Sequence, residues 1–179
     1  MNRLKFLEKK VDRYKPLSER QQLYLIKKDV LAILKKSVEQ LGLLWDKPQL
    51  SLLKIGNNES LEILKKCSFL CDEAQFSILE YIRSGTDDCV KRELLSILKK
   101  PTRLCEKVQI SILDYIRFGS DDCMKRELLS ILKRHLSNGY VLSDGALLKI
   151  DSMSNKEEIC STLEINKCLN VSCPYNECL

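Results

Sequence analysis

The chain has 179 residues, of which 44% are hydrophobic and 31% charged, and a formal net charge of +5. That balance excludes a disordered polyelectrolyte and suits one folded body, while the charge is modest for a nucleic-acid binder. Aromatics, glycine and proline are scarce beside leucine, isoleucine, lysine and glutamate, so the expected fold class is all-α.

The first segment, residues 1–16, reads as a capping helix. Met1 to Lys15 alternates apolar and basic residues, with Leu4, Leu7 and Val11 on one face, and Pro16 stops it. This stretch lacks the uninterrupted apolar run of a secretory signal, and no later one approaches the roughly 18 apolar residues of a membrane span. The expected location is therefore cytoplasmic, with no membrane partner. The nine cysteines are expected to be reduced thiols rather than a disulfide framework.

From residue 17 to 150 one phrase recurs. Leu17-Ser18-Glu19 leads to Gln22, Leu44-Trp45-Asp46 to Gln49, Leu70-Cys71-Asp72 to Gln75 and Leu104-Cys105-Glu106 to Gln109, and Leu142-Ser143-Asp144 opens a fifth unit. Each reads as a helix start, with a leucine to staple the first turn and a small or acidic residue facing the positive end of the helix dipole. Closing phrases follow: Ile33-Leu34-Lys35-Lys36, Ile63-Leu64-Lys65-Lys66, Ile97-Leu98-Lys99-Lys100 and Ile131-Leu132-Lys133-Arg134. Cations there complement the negative end of a helix, so these read as helix ends.

The clearest units are a tandem pair, Leu70–Arg103 and Leu104–Ser137, which share 22 of 34 residues. Within each, a turn (Ser84 to Asp88, Phe118 to Asp122) separates two helices, its glycine expected to be left-handed and its Asp residues to start the next helix. The first copy is expected to bury Ala74, Ile78, Leu79, Ile82, Val90, Leu94, Ile97 and Leu98, and the second Val108, Ile112, Leu113, Ile116, Met124, Leu128, Ile131 and Leu132. The earlier units are shorter: KIGNNES (54–60) marks a turn, and Gln22 to Lys36 has room for a single helix. Ala146 to Ile150 reads as a last short helix. Residues 151–179 read as a loosely structured tail carrying Cys160, Cys168, Cys173 and Cys178, whose spacing lacks the paired C-x-x-C knuckles of structural zinc.

These tandem hairpins resemble an α-solenoid of the HEAT or armadillo kind, and the Leu-Ser/Cys-x-x-x-Gln starts resemble short bacterial helical repeats of unassigned function. The resemblance implies a right-handed stack and no transferable catalytic residue. The 34-residue period also matches tetratricopeptide repeats, but their Trp-Leu-Gly-Tyr positions are missing from Leu70 to Ser137. Pentatricopeptide RNA binders share the length without identifiable base-reading positions here.

No enzyme is expected, and no cofactor or metal site. The only histidine, His135, reads as a last-turn cation, the Asp87-Asp88 and Asp121-Asp122 pairs as helix starts, and Cys67, Cys71, Cys105, Cys89 and Cys123 as buried apolar fillers. The functional expectation is a scaffold for a protein partner, recognised through Tyr81, Arg83, Tyr115, Arg117 and Phe118, because tyrosine and arginine are favoured interface anchors. The alternative is a nucleic-acid-binding ridge of Lys65, Lys66, Lys91, Arg92, Lys99, Lys100, Lys125, Arg126, Lys133 and Arg134.

Overall fold

The computed structural model describes residues 3–84, 87–100 and 103–165. Among them are eleven helices and no strand: α1 (Arg3–Asp12), α2 (Glu19–Lys27), α3 (Leu31–Leu41), α4 (Asp46–Ile55), α5 (Asn58–Lys66), α6 (Asp72–Arg83), α7 (Asp88–Leu98), α8 (Glu106–Phe118), α9 (Asp122–Ser137), α10 (Asp144–Asp151) and α11 (Lys156–Leu163). The chain forms two compact units, Met1–Val108 and Gln109–Leu179, divided within α8.

The first unit is built from helical hairpins packed neighbour to neighbour. The pairs α2/α3, α4/α5 and α6/α7 each fold back on themselves; the first helices stack as α2–α4–α6 and the second as α3–α5–α7, while α1 lies on α3. The expected apolar spacing holds: Ala74, Ile78, Leu79, Ile82, Leu94, Ile97 and Leu98 are buried, and only Val90 stays half-exposed. Burial of each such leucine or isoleucine contributes about 1.5–3 kcal/mol, so stacking, not helix propensity, holds these 9–12-residue helices.

A second, polar order runs through the same interior. Each opening phrase carries its glutamine one turn into the first helix, and Gln22, Gln49 and Gln75 are all buried. Their amides reach the next hairpin's entry. Gln22 Oε1 accepts from Trp45 N (3.0 Å) and its Nε2 donates to Leu43 O (3.1 Å). Gln49 accepts from Cys71 N (2.9 Å) and donates to Leu44 O and Phe69 O. Gln75 accepts from Cys105 N (3.1 Å) and donates to Leu70 O and Arg103 O, both at 3.0 Å. A glutamine amide supplies one acceptor and two donors, which suits an extended backbone with a free N–H at the helix start and a free C=O two residues earlier. This explains why Trp45 and Cys71 start helices without any side-chain cap. At Ser18, with no preceding glutamine phrase, a capping box takes over: Gln21 Oε1 accepts from Ser18 N, and Ser18 Oγ accepts from Gln21 N.

Two first-unit expectations need correction. Gln22 to Lys36 is not one helix: Asp29, at φ 53°, turns the chain between α2 and α3. Nor do Lys35 and Lys36 end a helix, since α3 continues to Leu41. It stops at Gly42 (φ 64°), a left-handed backbone that favours glycine, and a Cβ there would push the Ser68 side chain aside.

In the second unit, α11 packs on α9 and α10. Ile112, Leu113, Ile116, Met124, Leu128, Ile131 and Leu132 are buried as expected, as is Val108 just before the division. The last helices exceed expectation. The Ile131–Arg134 phrase leads into the last turn of α9, which carries Arg134 and ends at Ser137, but residues 151–165 are not a loose tail, because Met153, Ile159 and Leu163 are buried and α11 is helical. Gly119 is not left-handed either; it is required because a Cβ there would sit 2.6 Å from Tyr115 O. Residues 85 and 86 and residues 166–179, with Cys168, Cys173 and Cys178, lie outside the described residues. No described helix is long and apolar enough to cross a membrane.

Candidate functional site

The expected interface residues divide between the two units. In the first, Tyr81 and Arg83 close α6; Tyr81 is 36% exposed, and the exposed Arg83 donates to Glu80 Oε1 at 3.2 Å. In the second, Tyr115, Arg117 and Phe118 close α8. Tyr115 is half-buried, while Phe118 is 72% exposed, more than any other described phenylalanine, tyrosine or tryptophan. The Arg117 guanidinium carbon lies 4.9 Å and Lys149 Nζ 6.0 Å from its ring centroid. Lys149 is itself ion-paired to Asp114, which fixes α10 beside α8. The result is an exposed aromatic ring with cations on it, a combination able to bury against a partner.

The basic ridge is a different kind of surface. Lys65 pairs with Glu93 at 2.8 Å and Lys133 with Glu164 at 2.6 Å, while Lys91 and Lys125 pair with Asp88 and Asp122 at the starts of their own helices. Arg92 Nε and Arg126 Nε donate to Asp88 O and Asp122 O. Lys99 and Arg134 also make interactions within the chain, and Lys66 is exposed. The repeated lysine thus finds a glutamate one hairpin on, as Lys35 also does with Glu62. Lys100 is half-buried, its Nζ donating to Leu64 O (2.8 Å) and Cys67 O (2.6 Å) at the end of α5. Burial lowers the Lys100 pKa.

The cysteines separate by their place in the hairpin. Cys67 and Cys71 are buried and Cys105 half-buried, and burial pushes all three thiols up. Cys89 and Cys123 are exposed, against expectation, because each sits just inside a helix start where its N–H is held by Asp87 or Asp121 and its side chain projects outward. Cys160 is half-buried on α11.

No family model, curated protein or solved structure matches this chain. What it can do is read from its own side chains.

Two sets of residues escaped sequence reasoning. The buried glutamines were visible as a recurring letter, but their task lies across a gap of more than 20 residues. His135 does lie in the last turn of α9, but it is only 2% exposed and stacks on Tyr140 with ring centroids 5.0 Å apart. Its Nε2 lies 3.4 Å from Gln109 Nε2 and 3.1 Å from Val141 O, between the fourth ladder glutamine and the carbonyl two residues before Ser143. Gln109 Oε1 meanwhile accepts from Ser143 N at 2.8 Å.

Proposed function

We propose that this protein is a non-enzymatic helical-repeat scaffold that binds another protein. The observation that carries this reading is Phe118, a largely exposed ring flanked by Arg117 and Lys149 at the end of a repeat helix. Buried aromatic and arginine anchors dominate protein interfaces, and a helical array binds by presenting side chains from successive helices, with no reactive group needed. A right-handed, HEAT- or armadillo-like arrangement in the cytoplasm belongs to the same proposal. The pairing of ridge cations with Glu93, Glu164, Asp88 and Asp122 lowers the positive field a phosphate backbone would meet, which favours the protein partner over nucleic acid.

The test places a photo-crosslinking amino acid at Phe118 of the full chain in cells that express it. A discrete protein adduct, lost on Arg117→Glu, is the expected result. Fluorescent single- and double-stranded RNA and DNA are titrated in parallel at low and physiological salt. Salt-steep binding abolished by charge reversal at Lys99, Lys100, Lys133 and Arg134 overturns the scaffold reading in favour of nucleic acid.

A further inference from the structure

The first helices in the Met1–Val108 unit carry a charged–apolar–charged triplet three times. On α2 it is Arg20, Leu23 and Lys27; on α4, Lys47, Leu50 and Lys54; on α6, Glu73, Phe76 and Glu80. The spacing i, i+3, i+7 puts each triplet on one helical face, and in every case the outer two side chains are exposed and the central apolar one half-buried. Charges seven residues apart are about 10.5 Å apart along a helix. Adjacent packed axes lie about 8–10 Å apart. α2 packs on α4, and the two triplets hold the same offsets from Gln22 and Gln49, so stacking in register would set Arg20, Lys27, Lys47 and Lys54 around Leu23 and Leu50.

These four cations differ from the ridge on the second helices: among the described residues none of their side chains has an ion pair or a hydrogen bond. On α6 the frame changes sign, Glu80 holding Arg83 and the Phe76 ring lying 3.5 Å from Lys107 Nζ. We propose that the α2–α4–α6 face docks an acidic, apolar-centred segment of a partner protein, its carboxylates against Arg20, Lys27, Lys47 and Lys54, its apolar side chains over Leu23 and Leu50, and a basic residue against Glu73. The sign change orients the segment, because reversal would set its acidic part against the α6 glutamates. Nucleic acid fits the face less well, because a phosphate backbone gains nothing from the apolar centre and meets the Glu73 carboxylate at α6.

The inference rests on the scaffold reading, and the experiment separates the two. A random 16-residue phage-displayed peptide library is selected on the immobilised full chain, and fluorescein-labelled copies of the selected peptides are titrated. Enriched peptides are expected to combine Asp or Glu with Leu, Ile or Phe. Lys47→Glu/Lys54→Glu is expected to weaken them by at least ~10-fold, and Lys47→Gln/Lys54→Gln less. Both substitutions are on exposed positions, and circular dichroism checks the fold. Trp45, the single tryptophan, is the N-cap of α4 and should change emission on binding. Enriched peptides without acidic residues, or binding indifferent to Lys47→Glu/Lys54→Glu but lost on Phe118→Ala, would overturn the inference and leave the scaffold reading standing. No enrichment at all overturns the inference, and the crosslink at Phe118 then decides the broader reading. A 20-nucleotide single-stranded DNA bound by wild type and lost in the double variant assigns the face to nucleic acid and overturns both.

Discussion

The Gln75 and Gln109 rungs begin from nearly the same sequence and end differently. Both glutamines accept from the N–H that opens a later helix, Cys105 for the first and Ser143 for the second. Gln75 then donates to the main-chain carbonyl of Arg103, whereas Gln109 meets the ring of His135, which in turn touches the equivalent carbonyl, Val141 O. The two copies diverge at one telling position, where Pro101 in the first matches His135 in the second. Proline disfavours helix in the residue before it, and α7 ends at Leu98; histidine imposes no such stop, and α9 continues to Ser137. The longer helix carries the imidazole into the space a backbone carbonyl would fill. One residue change therefore replaces a backbone partner with a side-chain partner.

The sharpest break of this comparison is a carboxylate in each rung. Gln75→Glu would set a buried, acceptor-only group against Leu70 O and Arg103 O, at a cost of about 3–5 kcal/mol. Burial raises a carboxyl pKa, so that loss should shrink as pH falls and the introduced acid becomes a donor. Gln109→Glu is expected to cost less, since His135 Nε2, in the tautomer that carries its proton there, can donate to the introduced carboxylate. Urea denaturation of both variants at pH 5 and pH 7.5 checks this, and equal losses would mean that His135 is not a functional member of its rung.

A smaller effect is expected at Lys100, whose ammonium closes the end of α5 in the first unit. Lys100→Met should cost about 1–2 kcal/mol at neutral pH, through the lost hydrogen bonds to the Leu64 and Cys67 carbonyls. Burial lowers the Lys100 pKa in the folded protein, so the charged form is penalised on folding. Wild type should therefore gain stability as pH rises from the lowered value to the ordinary lysine value, and Lys100→Met should lack that gain. Melting temperatures of the two proteins from pH 7 upward measure the difference.

The smallest effect belongs to the exposed pairs, one in each unit. The side-chain hydrogen bonds and charges of Lys35 and Lys133 hold the Glu62 and Glu164 carboxyls below the ordinary glutamate value. Their contribution is present above that ordinary value and is lost as pH falls through the lowered one. Thermal melts across the acid range should show a slightly shallower acid loss for Glu62→Gln, and added salt should shrink the difference because both partners are open to solvent.

The helices, their starts and most of the core were legible because their signals act within one or two turns. Apolar spacing marked α6 to α9, Asp87 and Asp121 marked helix starts, and Pro16 lay beyond the end of α1. The Asp29 turn was missed because its backbone is left-handed without a glycine to announce it. Helix α11 was missed because its buried face is only Ile159 and Leu163, too short a pattern to stand out. The exposed thiols of Cys89 and Cys123 were misjudged because cysteine's burial habit was weighed above its place beside a helix start.

By itself the sequence determined an all-helical chain, its repeat and the order of its hairpins, since periodicity and caps are local. Only the tertiary structure decided what the recurring glutamine does and which cations are already engaged. Gln22 serves a residue 23 positions away, and Lys65 finds its glutamate at a separation of 28. No local rule distinguishes such a lysine from Lys47 or Lys54, because a charge is neutralised by what packing brings beside it.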